Sequence, residues 1–281
     1  MKKIVFSLVL LLVANFVKAQ ETTNDTIKLW TKKGNISLLF NQTAFNSKWL
    51  GGGTSNLAGN FGLNYDFNYK NGAVIWDNKF IAAYGLTKVT GSKISKTDDR
   101  LELNSLWGKK AKGDWNYSLF FNFKTQMDVG NDNNGTTISH FLSPAYFQFG
   151  PGMWWKKSNN LSVNFSPATA KLILVHPHFT DFGSSFGVLQ GDSSRLEFGA
   201  SISAYYKFNV MANISVENRL NLYSNYLDQP ENIDVDYQMN ILMRINKYIT
   251  ANLALQGIYD HNTIKAVQVR EVFGLGVNYG F

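Results

Sequence analysis

The chain has 281 residues, 44% hydrophobic, 15% aromatic and 17% charged, with a formal net charge of +7. That balance excludes a disordered chain and a coiled coil. There is no cysteine, which excludes a disulfide framework, a thiolate metal site, a cysteine nucleophile and a lipid-modified N-terminal cysteine.

The first segment, MKKIVFSLVLLLVANFVKAQ, has a basic start at Lys2 and Lys3 and an apolar run from Ile4 to Val13, with Val17-Lys18-Ala19 ahead of Gln20. It reads as a secretory signal over residues 1–19, cut after Ala19. The run is too short to span a bilayer. Its removal takes away Lys2, Lys3 and Lys18 and no acid, so +7 falls to +4. So mild a charge gives no footing for a nucleic-acid partner, and none is expected. Residues 20–33 are expected to be a short periplasmic leader and 34–281 the folded domain. No later segment approaches the ~18 consecutive apolar residues of a membrane helix.

From there on the period is two. In 57–69, LAGNFGLNYDFNY, Leu57, Phe61, Leu63, Tyr65, Phe67 and Tyr69 fall on one side, and Asn60, Asn64, Asp66 and Asn68 on the other. That is strand alternation. It recurs over 114–127, 195–208 and 233–246. The segments that alternate are roughly 35–45, 57–70, 72–86, 98–109, 114–127, 144–156, 159–174, 195–208, 211–225, 233–246, 249–260 and 268–281, about twelve in all. Many exceed the ~5–6 residues of ordinary strands and suit a tilted bilayer crossing of ~9–11 residues. Tight connections, such as the hairpin signal Asn71-Gly72, alternate with longer ones at 46–56, 87–97, 128–143, 175–194, 226–232 and 261–267. The predicted fold is all-β: a closed antiparallel transmembrane β-barrel of about 12 strands, with short periplasmic turns and long extracellular loops.

The face opposite the apolar stripe carries Asp66, Asp77, Lys79, Arg100, Glu102, Lys124, Glu197, Lys207, Glu217, Arg219, Asp234, Asp236, Arg244 and Arg270. A dry core would hold these at a cost of several kcal/mol each unless they were paired. They are therefore expected to line the lumen, with the apolar stripe in lipid. Seven acids face seven bases, which argues against a strongly ion-selective pore. Phe67, Tyr69, Trp76, Trp107, Trp115, Tyr117, Trp155, Tyr206, Phe208, Tyr279 and Phe281 crowd the short-turn ends as an interfacial girdle. Lys70, Lys109, Lys110, Lys112, Lys156, Lys157, Lys207 and Lys247 sit at or beside the same turns, within reach of lipid phosphates.

The chain ends VFGLGVNYGF. Phe273, Leu275, Val277, Tyr279 and Phe281 share one face, against Gly274, Gly276, Asn278 and Gly280. In a closed barrel the last strand zips to the first. This ending resembles the C-terminal signal of bacterial outer-membrane barrels, which implies the outer membrane of a Gram-negative cell and the barrel assembly machinery as a partner; export by the Sec route follows from the signal over 1–19.

Several stretches resemble an uncharacterised family of Bacteroidetes outer-membrane proteins known only as a domain of unknown function. They are WLGGGTSN (49–56), FLSPAYFQFGPGMWW (141–155), NLSVNFSPATAKLILV (160–175), and FGSSFGVLQGD followed by RLEFGA (182–200). The resemblance implies the barrel and its location, and no activity or functional residue.

Trp49, Gly51, Gly52 and Gly53 lie in the first long loop, where three glycines allow a fold-back into the lumen as a constriction or a tight turn at the rim. Ser143-Pro144 and Ser166-Pro167 are expected to mark bulges or strand limits, because proline removes a ladder donor. His176, His178 and Asp181 form a potential metal corner without a further clear ligand. No metal or cofactor is expected. A hydrolase needs a serine next to an oriented histidine. Ser139 and Ser143 flank His140 with nothing recognisable to orient the ring, so no enzyme is expected. The expected function is a narrow, weakly selective passage or binding cavity for small polar solutes. The alternatives are a closed barrel acting through its extracellular loops and, third, an outer-membrane lipid hydrolase.

Overall fold

A computed structural model describes residues 29–46, 48, 50, 53–132 and 134–281. The strands, in chain order, are β1 (Trp30–Thr43), β2 (Asn56–Asn71), β3 (Val74–Val89), β4 (Ser95–Lys110), β5 (Trp115–Thr125), β6 (Gly130–Asn131), β7 (Thr137–Ser139), β8 (Ala145–Lys156), β9 (Leu161–Leu174), β10 (Ser194–Met211), β11 (Ile214–Asn225), β12 (Ile233–Arg244), β13 (Ile249–Asp260) and β14 (Ile264–Gly280). Twelve of them close into one antiparallel barrel in the order β1-β14-β13-β12-β11-β10-β9-β8-β5-β4-β3-β2; β6 and β7 form a small hairpin in the loop between β5 and β8.

The expected signal at 1–19 and most of the expected leader lie outside the described residues. Trp30, Thr31, Lys32 and Lys33, assigned to the leader from the sequence, belong to β1, where they pair with Tyr69, Asn68, Phe67 and Asp66 of β2. Two connections expected to be long are short. β3 and β4 run on to leave only 90–94 between them, and β13 and β14 turn at 261–263. In both cases the strand ends keep pairing beyond the apolar alternation, as Thr87 with Ser95 and Asp260 with Ile264 show.

The apolar stripe faces outward. Leu57, Leu119, Phe149, Leu196, Phe273, Leu275 and Val277 are exposed, while Glu102, Lys171 and Glu197 are buried. At the short-turn end the aromatics lie level in the register: Trp30 opposite Tyr69, Tyr69 opposite Trp76, Trp76 opposite Trp107, and Trp115 opposite Trp155. The Trp30 ring lies 5.2 Å from Tyr69 and 5.9 Å from Trp76. A belt of amphipathic rings on an apolar outer wall is stable at a lipid–water interface.

The final strand closes the ring. Asn35 pairs with Gly280 and Phe40 with Leu275, and Phe281 exchanges backbone hydrogen bonds with Gly34. The bare inner face of β14 has a steric reason. A Cβ on Gly276 would collide with the Leu38 carbonyl, and one on Gly274 would stand 2.9 Å from Leu39 Cβ.

One residue inverts the alternation. The pairings of β9 shift by one between Phe149 and Met153 of β8 and between Gly199 and Ser201 of β10. The extra residue lies just after Ser166-Pro167, so this pair does mark a bulge. Asn164 and Ser166 point inward before it; Thr169 and Lys171 do so after it. Gly150 and Gly152 leave room for the bulged backbone at Ala168 and Phe165.

Candidate functional site

Alternation along twelve strands turns a polar side chain inward at every second position, so the lumen is the candidate site. Its cavity has a volume of about 790 Å3. Lining residues run from Lys33, Lys70, Lys156 and Lys207 at the short-turn end to Phe186, Tyr259 and Thr263 at the long-loop end.

Among the described residues, all of the fourteen charges read from the sequence but Arg244 enter ion pairs. Several pairs cross the lumen. Lys79 on β3 lies 3.3 Å from Glu217 on β11, and Lys124 on β5 lies 3.1 Å from Asp236 on β12. Arg270 on β14 reaches Asp98 on β4. Asp66 stands 3.6 Å from Lys79, and Asp77 is bound by Lys156. Arg219 grips Glu217 from the same strand and lies over the Tyr205 ring at 5.9 Å; Lys207 approaches Glu217 at 3.8 Å. Arg100 pairs with Glu102 at 3.0 Å. Arg244 ends β12 in an exposed position, where its backbone bonds to Asn213.

Sequence reasoning missed the centre of the network. The Lys171 side chain, 7% exposed, meets Asp234 at 3.0 Å, Glu197 at 3.3 Å and Asp260 at 3.8 Å. Simple alternation from Leu161 onward places Lys171 in the lipid-facing set; only the bulge brings it inside. The Ser166-Pro167 pair was the signal that could have found it. Arg195 extends this cluster to Glu197 at 2.9 Å and Asp228 at 3.1 Å. Trp154 was also missed. It is buried inside the wall, beside Gly108 and with Lys156 Nζ 4.7 Å above its ring.

Trp49, Gly51 and Gly52 lie outside the described residues. Gly53 is described, with φ +125° and the Phe45 ring against it. The described loop that does reach into the mouth is 175–193. Val175 and Val188 pack with Ile173, Tyr146, Phe179 and Phe186. Thr180 donates to the Asp192 carbonyl at 2.7 Å, and Arg195 donates to the Gly187 carbonyl at 3.1 Å.

His176, in this loop, and His140, ahead of β8, bond to nearby groups. His176 Nδ1 accepts from the His178 amide at 3.2 Å, and its own amide donates to Ser143 Oγ at 2.7 Å. His140 Nδ1 lies 2.8 Å from the Phe141 carbonyl. Among the described residues no serine hydroxyl bonds a histidine ring, and no three His, Asp or Glu side chains gather as a metal site.

Fold and outer surface together define an outer-membrane β-barrel. Residues 40–130 match a family described as "Protein of unknown function (DUF3078)". Of the four stretches that carry the resemblance, only WLGGGTSN falls inside that match. No curated protein matches the chain. Among solved structures, an outer membrane channel from Pseudomonas putida F1 is 12% identical, with 92% of this chain and 99% of that chain covered and a TM-score of 0.42. The NanC porin is 8% identical, covering 88% and 97%, with a TM-score of 0.38. The outer membrane channel DcaP of Acinetobacter baumannii is 11% identical, covering 90% and 97%, with a TM-score of 0.34. The membrane assignment stands on this barrel's own outer surface rather than on these likenesses.

Proposed function

We propose that the barrel is a narrow, weakly selective passage or binding cavity for small polar solutes across the outer membrane. The observation that carries this reading is the cavity of about 790 Å3, lined by Asp66, Lys79, Lys124 and Asp236 among others and by residues from both ends of the barrel. Its walls bind water and ions more cheaply than they could be sealed dry, because each buried charge needs a partner or solvent. Planar-bilayer conductance of purified barrel tests it. Discrete current steps, altered when Arg219, Arg244 and Asp236 become small residues, support a passage. A barrel silent in both forms is not a pore.

A second reading, a closed barrel that acts through its loops, draws on the cross-lumen pairs Lys79–Glu217 and Lys124–Asp236. It predicts that silence. A lipid hydrolase would need a serine activated by one of the four histidines; turnover of phospholipid or lipid A that is lost in His140→Ala would favour it. We also propose that membrane lipids bind the lysines at the short turns and that the assembly machinery reads the outward stripe from Phe273 to Phe281.

A further inference from the structure

The near balance of lumen charge hides a segregation along the axis. At the short-turn end the cavity is lined by Lys33, Lys70, Lys156 and Lys207, against Asp66 and Asp77. Both aspartates are engaged, Asp66 by Lys79 and Asp77 by Lys156. Among the described residues no carboxylate comes within 4.0 Å of Lys33 or Lys70. Lys207 has only a distant contact, 3.8 Å, with Glu217, whose carboxylate is already held by Lys79 and Arg219. At the other end the order reverses, since Lys171 is surrounded by three carboxylates.

Register sets this arrangement. Lys33 faces Asp66 across β1 and β2, and its inward direction follows from buried Ser37 and Leu39 at the same parity. Lys70 follows Asp66 and Asn68 on the inner face of β2. The two ammonium groups therefore project into one mouth, where the low-dielectric wall focuses their field. Lysine donates three hydrogen bonds and binds oxyanions as a point charge.

We propose that the short-turn mouth is an anion site and that the solute is a small carboxylate or phosphate oxyanion, held by Lys33 and Lys70 with Lys207 opposite. The proposal deepens the passage reading by naming the class of solute, and it rests on that reading for transport though not for binding.

Two measurements test it. In planar bilayers under a KCl gradient, the reversal potential should show chloride preferred over potassium. Lys33→Gln/Lys70→Gln should bring the ratio towards unity, while Lys93→Gln/Lys265→Gln at the long-loop end should leave it unchanged. Cation preference, or a ratio indifferent to the first pair, overturns the proposal. A barrel that passes no current defeats the passage reading, and calorimetry then decides the site. Citrate and inorganic phosphate, titrated separately into detergent-solubilised protein at low salt, should give heat that the Lys33/Lys70 variant loses. Absence of heat with both anions, or equal heat from native and variant, overturns the site.

Discussion

Lys79 and Glu217 stand on strands that are diametrically opposed in the ring of twelve, yet their charged groups lie 3.3 Å apart. Two long side chains thus bridge the full width of the lumen. Lys124 and Asp236 make a second crossing between β5 and β12. These crossings narrow the lumen, since a twelve-strand ring alone would leave a wider one.

Removing both crossings should therefore widen the passage. In Lys79→Ala/Lys124→Ala the single-channel conductance should rise clearly above that of the native barrel. Arg219 still holds Glu217, and Gln256 still donates to Asp236 at 2.8 Å, so the barrel should remain folded. Unchanged conductance in a folded double variant would place the bottleneck elsewhere, with loop 175–193 the next element to test.

Lys171 should matter more to stability than any other lumen charge. Its loss leaves Asp234 and Asp260 without their shared cation, while Arg195 still serves Glu197. Removing one partner of a buried pair costs about 3–5 kcal/mol. Urea unfolding of Lys171→Met in detergent micelles should show a loss of that order. A loss under about 1 kcal/mol, the worth of an exposed pair, would mean that water already screens the cluster.

Inserting one alanine after Ala168 should be worse than deleting Ala168. Deletion removes the extra residue of the β9 bulge, so Asn164, Ser166, Thr169 and Lys171 fall at alternate places and Lys171 stays in the lumen. Insertion adds a second extra residue and, with the bulge kept, turns Lys171 towards lipid. A lysine on the lipid face costs about 2–4 kcal/mol near the midplane, added to the lost cluster. The insertion should abolish the heat-modifiable, compact band of the folded barrel on gels, and the deletion should keep it. A normal band from the insertion would show that β9 can shift register without penalty.

The seam is sensitive for a different reason. Gly276→Val places a side chain against the Leu38 carbonyl, where no rotamer avoids the clash with backbone. Folded yield should fall sharply, whereas Val277→Leu, on the outward face, should be tolerated. Equal yields would mean that β1 and β14 do not pair in the observed register.

Much of the barrel is legible in the residue order alone. Leu57 to Tyr69 alternate without a break, and the inner and outer sets follow from parity. The charges between Asp66 and Arg270 are visible for the same reason. Legibility fails where parity changes or where distance matters. Lys171 is hidden by one extra residue in β9. The partners Glu217 for Lys79 and Asp98 for Arg270 come from strands far apart in sequence, which no local pattern encodes. Loop 175–193 escapes because its small core of Val175, Val188 and Phe186 has no period to detect.

All of these outcomes require the apolar stripe to lie in lipid and the polar stripe in water. Because the native chain lacks cysteine, single spin labels can be placed at Leu119→Cys on the outer face and Ser203→Cys in the lumen, in barrels reconstituted in liposomes. Power-saturation measurements should find Leu119→Cys accessible to oxygen and shielded from a water-soluble nickel chelate, with the opposite result at Ser203→Cys. The reverse pattern would contradict the barrel's orientation, and with it both the membrane assignment and the passage.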